Sequence, residues 1–366
     1  MEQGLHPLVA IGLKSDTAIT GVDAALVKTD GVDIFENDVS ISRPYPKELR
    51  ADIKSVLGEK GQLDVSRLKE VERKVTQHHI DTVQALLEMA DKNPLNIDVI
   101  AFPGHTVLNR PSQKLSVQIG NADTMLQTFG RPVVNRFYQS DLASGGQGAP
   151  IFPSFFDAMT RDMEKPLAVL SIGGLTSLSY IGVNGELAAF EVGPGNILID
   201  QWMQTRMGAE MDFDGLWAAK GMVDQRLLRK LITHPYFAKK PPKSADRDEF
   251  DPLMQDVDGS GVADGAATLT ALTVQSVADA VSYLPENPKT WIVIGGGAFN
   301  PSIIKGLKQS LKGDVLTGEE LHWNTSNIEA QGFAFLAVRT MFNLPISFPS
   351  TTGVPAPMPG GRIHQK

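Results

Sequence analysis

The chain has 366 residues, enough for two domains, and its 42% hydrophobic and 21% charged residues supply ordinary globular cores. A formal charge of −8 leaves no basic footprint for nucleic acid, and with no cysteine there are no disulfides, thiolate metal sites or cysteine nucleophiles. No apolar run reaches the ~18 residues of a membrane span, Met1-Glu2-Gln3-Gly4 shows no signal-peptide pattern, and the seven histidines include no H-x3-H pair, so the expectation is a cytoplasmic chain with no nucleic-acid or membrane partner and no structural zinc.

Val9 to Leu13 reads as a strand opening into a polar turn, with Val22 to Val27 as its hairpin partner. The clearest helix covers residues 65 to 92, where Leu68, Val71, Val75, Ile80, Val83, Leu86 and Leu87 recur at i+3/i+4 spacing and form a core stripe. Val99 to Phe102 and Leu115 to Ile119 are further strands, and a helix follows from Asn121 to Thr128. Helices are also expected at Asn196 to Met207, Thr268 to Tyr283, Ile303 to Leu311 and Glu329 to Thr340, with Trp202 and Trp217 packed in a core. Residues 238 to 265, rich in Lys, Pro and Asp, read as a surface excursion, and the Pro/Gly-rich tail from Pro349 as irregular. Alternating strands and helices make this an α/β protein.

Two glycine turns carry the strongest signal. Leu167 to Leu170 leads into Ser171-Ile172-Gly173-Gly174, and Trp291 to Ile294 leads into Gly295-Gly296-Gly297-Ala298-Phe299-Asn300. Buried strands ending in glycines let backbone N–H groups approach a ligand with no Cβ in the way. Two such turns in one chain suggest a nucleotide held in a cleft between two lobes. The packing alternative, in which the fold needs these turns with or without a ligand, stays open.

Several segments together resemble the anhydro-N-acetylmuramic acid kinase family, which also contains fungal levoglucosan kinases. They are Gln118-Ile119-Gly120-Asn121, Gly145-Gly146-Gln147-Gly148-Ala149-Pro150, Gly193-Pro194-Gly195-Asn196 with Asp200 one turn on, Pro242-Lys243-Ser244 with Arg247, and Gly295 to Asn300. The resemblance runs from about Val9 to about Gly353. It implies the two-lobed actin-like ATPase fold shared with sugar kinases, with residues 1–134 and 341–366 in an N-terminal lobe, and 135–340, including the excursion 238–265, in a C-terminal lobe. It also implies ATP and Mg²⁺ as cofactors and a reaction that opens a 1,6-anhydro ring with water and phosphorylates the freed 6-hydroxyl.

The chain departs from the family pattern at the chemistry. The family's first phosphate turn, G-L-M-S-G-T-S-x-D-G, is here Gly12-Leu13-Lys14-Ser15-Asp16-Thr17-Ala18-Ile19-Thr20-Gly21. Asp16 puts a carboxylate where phosphate is expected, a repulsion of roughly 4 kcal/mol for two unit charges ~4 Å apart at an effective dielectric of ~20. Thr20 replaces an aspartate that is one possible Mg²⁺ contact. The base aspartate of F-D-x-G-P-G-N is Glu191, one methylene longer. S-H-G-Q-T becomes Phe102-Pro103-Gly104-His105-Thr106, and A-D-F-R-R-R-D becomes Asn135-Arg136-Phe137-Tyr138-Gln139-Ser140-Asp141, which loses two arginines and turns the sugar pocket aromatic through Phe137 and Tyr138.

From the resemblance, Glu191, His105 and Asp141 are the candidate catalytic residues. Ser15, Asp16, Thr17, Gly173, Gly174, Gly193, Gly195, Asn196, Gly295, Gly296, Gly297 and Asn300 would contact the nucleotide. Thr106, Asn121, Tyr138 and Gln147 would contact a sugar or sugar-like ring, and Glu329 the metal. His78, His79 and His234 read as structural. Three functions stay open: a sugar kinase, a repurposed enzyme doing acid–base chemistry on a small molecule without ATP, and a catalytically silent binding protein. A homodimer is compatible with each.

Overall fold

The computed structural model describes residues 5–15, 19–57, 65–110, 113–246 and 248–366. Asp16, Thr17 and Arg247 therefore lie outside the described residues. The chain forms two compact units, one of Met1–Arg161, Ser326–Pro349 and Gly353–Lys366, the other of Asp162–Thr325 and Ser350–Thr352.

In the first unit the strands are β1 (Leu8–Ser15), β2 (Gly21–Thr29), β3 (Ile34–Pro44), β4 (Val99–Ala101), β5 (His105–Arg110), β6 (Leu115–Ile119) and β7 (Val133–Asn135). β1, β2 and β3 form an antiparallel meander, with Leu13 opposite Ala24 and Ala24 opposite Ile41. β4 joins β1 in parallel, β7 joins β4 in parallel, and the C-terminal strand Arg362–His364 pairs antiparallel with β7. β5 and β6 make a separate hairpin. The helix Val65–Met89 buries Val71, Val75, Ile80, Val83, Leu86 and Leu87, the stripe read from the sequence, in the core of this unit. On the other face the helix Ile328–Met341 lies against β1 so closely that a Cβ on Gly12 would stand 1.9 Å from the Ala330 carbonyl oxygen.

The second unit repeats this plan. β8 (Leu167–Ile172), β9 (Leu175–Ile181) and β10 (Leu187–Pro194) form the meander, and β11 (Thr290–Ile294) then β12 (Asp314–Thr317) add in parallel beyond β8. Its strand order β10-β9-β8-β11-β12 is that of β3-β2-β1-β4-β7. One α/β topology used twice in a chain is the actin-like arrangement that the resemblance implies. The runs Leu167–Leu170 and Trp291–Ile294 are buried throughout, as central strands covered on both faces must be.

The expected lobe boundary needs correction. Segments 135–161 and 326–340 belong to the first unit, because β7 pairs with β4 and the apolar Ile328–Met341 packs on the same sheet. The excursion 238–265 is not a loose surface segment: Lys243, Ala245, Phe250, Leu253 and Val257 are buried, four of them in the second core. The tail from Pro349 includes the strand Arg362–His364. Among the described residues no helix is long and apolar enough to cross a membrane.

Candidate active site

In the second unit three glycine-rich turns converge. The β8–β9 hairpin turns on Gly173-Gly174. The segment after β10 folds onto it, with Gly195 N–H donating to the Gly174 carbonyl (2.8 Å), Asn196 N–H to that of Gly173 (2.8 Å) and Ile197 N–H to that of Gly174 (3.1 Å). Gly295 follows β11 at φ +79°, and a Cβ on Gly297 would stand 2.3 Å from the Ile172 side chain. Asn196 Nδ2 donates to the Ile172 carbonyl (3.4 Å).

The glycines divide by what a side chain would meet. At Gly195 a Cβ would lie 2.4 Å from the Gly173 carbonyl oxygen, and at Gly193 2.8 Å from Phe237, so packing accounts for both. At Gly173 and Gly174 the nearest atoms are 3.8 Å away, and neither has a positive φ. Packing does not require glycine there; the bare backbone leaves a cradle that a Cβ would fill, which suits a polyphosphate. Asn300, expected at the nucleotide, caps the helix Pro301–Ser310 by accepting from Ser302 and Ile303 N–H, and is itself buried.

Glu191 sits at the end of β10, where the pairing register shifts between Glu191 and Gly193. Its main chain is fixed on both sides, its N–H donating to the Lys243 carbonyl (3.0 Å) and its carbonyl accepting from Tyr236 Oη (2.8 Å). Its Oε2 accepts from Ser244 Oγ (2.9 Å) and from Ala245 N–H (2.5 Å). Burial, reinforced by the nearby Asp246, raises its pKa, against the lowering effect of the Ala245 and Ser244 hydrogen bonds. A carboxylate with raised basicity, held through one oxygen, is equipped to take a proton. The segment that holds it is the one the sequence reading placed on the surface. Lys243 is buried beneath Tyr236, its ammonium 4.6 Å from that ring and 5.7 Å from Tyr283, and burial lowers its pKa to about 8. Asp200, on the helix Ile197–Met207, is pushed up to about 6, first by burial and then by the charge of Asp212.

In the first unit Ser15 ends β1 with its hydroxyl sharing hydrogen bonds with His105 Nδ1 (2.7 Å) and Tyr45 Oη (2.7 Å). The Tyr45 ring leans on His78, 4.8 Å between centroids. Ser15 and His105 are thus brought together, while Tyr45, 30 residues from Ser15, escaped the sequence reading. Thr106 joins through Gln118, whose Nε2 donates to Thr106 Oγ1 (3.3 Å) and whose Oε1 accepts from Gln139 Nε2 (2.9 Å). Asp141 is buried: its Oδ1 accepts from Gly148 N–H (2.7 Å) and its Oδ2 has no partner among the described residues. That carboxylate shapes the turn carrying Gln147, which is half-buried. Phe137, expected in the sugar pocket, is instead core, packed on Phe333. Tyr138 packs edge-on to the same Phe333, and burial pushes its phenol up to about 12. Asn121 stands apart: it caps the helix Ala122–Phe129 and lines a cavity of about 360 Å³ with Lys69, Glu72, Arg73, Thr76, Gln77 and Thr124.

Glu329, expected at the metal, pairs with Lys14 Nζ, both side chains about a quarter to a third exposed. Exposed pairs contribute only ~0–1 kcal/mol to stability. Among the described residues no group of three or more His, Cys, Asp or Glu converges to hold a metal. The histidines read as structural have such surroundings. His79 is buried, its Nδ1 against the Val75 carbonyl and its pKa lowered to about 3 by desolvation, and His234 caps the helix Pro235–Ala238.

The sequence profile of a family described as anhydro-N-acetylmuramic acid kinase matches residues 8–366. A protein of that name from Methylobacterium nodulans is 43% identical over 369 residues, covering 96% of this chain and 98% of the relative. Proteins of the same name from Rhodospirillum rubrum and Paramagnetospirillum magneticum are 41% and 40% identical, covering 96% and 98% of this chain and 93% and 99% of theirs.

Proposed function

Since the chain belongs to the anhydro-N-acetylmuramic acid kinase family, we propose that it is an ATP-dependent kinase of a 1,6-anhydro amino sugar, with Glu191 as its base. The observation that carries this reading is the Glu191 carboxylate, raised in pKa and anchored by Ser244 and Ala245, at the head of the converging glycine turns. Glu191 takes a proton from water as its oxygen bonds to the anomeric carbon. The bond from that carbon to O6 breaks, and its electron pair stays on O6. O6 then bonds to the γ-phosphorus, and ADP leaves with the electrons of the old P–O bond.

The extra methylene of glutamate fits this role through the turn that holds it. Ser244 and Ala245 fix Oε2, so the longer side chain is not free to swing. A positioned base contributes about 10²–10⁴-fold in rate. Gly174 would offer its backbone to the ATP phosphates, the Gly173 N–H being given to the Leu175 carbonyl (3.0 Å), and His105, Thr106, Tyr138 and Gln147 are the residues that the family resemblance implies for the sugar.

The test is direct. The full chain, 1,6-anhydro-N-acetylmuramic acid and ATP with Mg²⁺ are incubated, and products are followed by mass spectrometry. A product heavier than substrate by one water and one phosphoryl group, formed one-for-one with ADP, is expected. Bound ATP with no ADP formed on any anhydro sugar defeats the reading.

A further inference from the structure

We infer that Lys243 is a positioning residue for the base: its buried ammonium closes the segment 236–243 on which Glu191 is mounted, and so holds Ser244 and Ala245 against the Glu191 carboxylate. The inference rests on the reading of Glu191 as the base and deepens it with a residue that acts through others.

Every contact in the argument lies in the second unit. β10 delivers Glu191 between the two ends of one short segment. At one end Tyr236 Oη donates to the Glu191 carbonyl (2.8 Å), and at the other the Lys243 carbonyl accepts from Glu191 N–H (3.0 Å). The two ends are also tied to each other, because Lys243 Nζ donates back to the Tyr236 carbonyl (3.2 Å). These bonds close a ring through Glu191, Tyr236 and Lys243. Ser244 and Ala245 follow directly in the chain, and their Oγ and N–H hold Glu191 Oε2. A segment released at Lys243 would carry both donors away from the carboxylate.

Packing does not ask for a charge at this place. Lys243 is 6% exposed, with its ammonium 4.6 Å from the Tyr236 ring and 5.7 Å from that of Tyr283. A methionine of similar length would fill the same space without the cost of desolvating a cation. The nearby Lys239 adds to that cost, joining burial in lowering the Lys243 pKa. What methionine lacks is a donor for the Tyr236 carbonyl. The ammonium is not a counter-ion for Glu191 either. Burial and Asp246 raise the Glu191 pKa, the Ala245 and Ser244 bonds lower it, and the charge of Glu191 is felt by Tyr236. Lys243 therefore acts on the base by keeping residues 244 and 245 in place.

The experiment follows Glu191 itself. The full chain is labelled with ¹³C-carboxyl glutamate and titrated by NMR, with the Glu191 signal assigned by its loss in Glu191→Gln. Parent, Lys243→Met, Lys243→Arg, Ser244→Ala and Lys243→Met/Ser244→Ala are compared, with thermal melting as the folding control and the kinase assay alongside. Lys243→Met should melt at or above the parent temperature, since an apolar replacement of a buried charge is often neutral or stabilising. Its Glu191 should titrate at higher pH, because bonds that favour the ionised form are loosened. Its kcat should fall by about ten-fold, short of the roughly 100-fold of a full ångström's displacement, with KM within about three-fold of the parent's. Ser244→Ala should move Glu191 in the same direction, and the double variant by less than the sum, because both changes act on one set of bonds. Lys243→Arg, which keeps charge and donors, should titrate nearer the parent than Lys243→Met does. If Lys243→Met does not fold, Lys243→Gln, too short to reach the Tyr236 carbonyl, takes its place. An unchanged Glu191 titration in the folded variant, or fully additive shifts, overturns the inference. If the parent forms no ADP while the titrations behave as expected, the kinase reading falls and the mounting of Glu191 by Lys243 stands.

Discussion

The two units use the same hairpin position differently. Each sheet starts its meander with a strand, β1 or β8, that turns back into its neighbour. In the second unit the turn is Gly173-Gly174, two residues at which a Cβ would make only ordinary contacts at 3.8 Å. In the first unit the strand enters its turn carrying Lys14 and Ser15, and the sequence continues with Asp16 and Thr17. The difference shows how one topology separates two tasks. A bare glycine hairpin lets a ligand approach the backbone with no Cβ in the way and is indifferent to what lies beyond it. A hairpin loaded with side chains sets charge and hydrogen-bond pattern, and so can diverge without disturbing the sheet. The changes from the family pattern fall on the loaded turn, on the segments 102–106 and 135–141 and on the Glu191 segment, while the glycines of the second unit stay.

The largest expected effect tests whether catalysis belongs to the second unit's turns. Glu191→Gln keeps size and the contacts with Ser244 and Ala245 but removes basicity. Turnover should fall by about 10²–10⁴-fold with an unchanged melting temperature. Glu191→Asp shortens the side chain and gives up the Ser244 and Ala245 anchor; a loss of about 100-fold is expected, the scale for a reacting group displaced by about 1 Å. Parent-like turnover in Glu191→Gln would move the base to His105 or Asp141.

The next prediction separates packing glycines from binding glycines. Gly195→Ala forces a Cβ against the Gly173 carbonyl at 2.4 Å, so destabilisation of about 1–3 kcal/mol is expected in denaturant unfolding. Gly174→Ala meets nothing closer than 3.8 Å and should melt like the parent, yet it fills the cradle; ATP affinity should drop about ten-fold, equivalent to ~1.4 kcal/mol. If Gly174→Ala binds ATP as the parent does, the open hairpin is not the phosphate cradle.

What the sequence made legible follows from how local each signal is. Glycine turns after buried apolar runs, the Val65–Met89 stripe and the helix after Asn121 involve residues a few positions apart and are readable, whereas the capping role of Asn121 itself was not read. The Lys14–Glu329 pair spans 315 positions and depends on Gly12 admitting the helix, so only the folded chain brings it together. The Ser15–Tyr45–His105 cluster likewise needs three separate elements. The holder of Glu191 was missed for a different reason. Residues 238–265 are dominated by Lys, Pro and Asp, and their average polarity concealed Phe250, Leu253 and Val257, whose three- and four-residue spacing marks one buried face. Phe137 shows the converse error: its place in a sugar motif suggested a pocket, and its apolar ring went to the core against Phe333.

The smallest effect sharpens the electrostatic side of the comparison. Asp200 lies one turn beyond Asn196 in the bare-glycine unit, its pKa raised to about 6 by burial and by Asp212. Asp212 accepts from Trp217 and Ala218 N–H at 2.8 and 2.9 Å, which fixes its carboxylate in place. A carboxyl whose folded pKa lies above its unfolded value favours the folded state when protonated. That contribution is fully present below the unfolded pKa of 3.8 and is lost as pH rises to about 6. Asp200→Asn removes the titration. Relative to the parent it should be neutral near pH 4 and more stable at pH 7.5 by about 1 kcal/mol, a figure discounted for the solvent that still reaches the group. Urea midpoints of both proteins from pH 4 to 7.5 measure this. A difference that does not change with pH would mean that Asp200 is ionised without cost, leaving the second unit's turn with a full negative charge beside the phosphates it is proposed to hold.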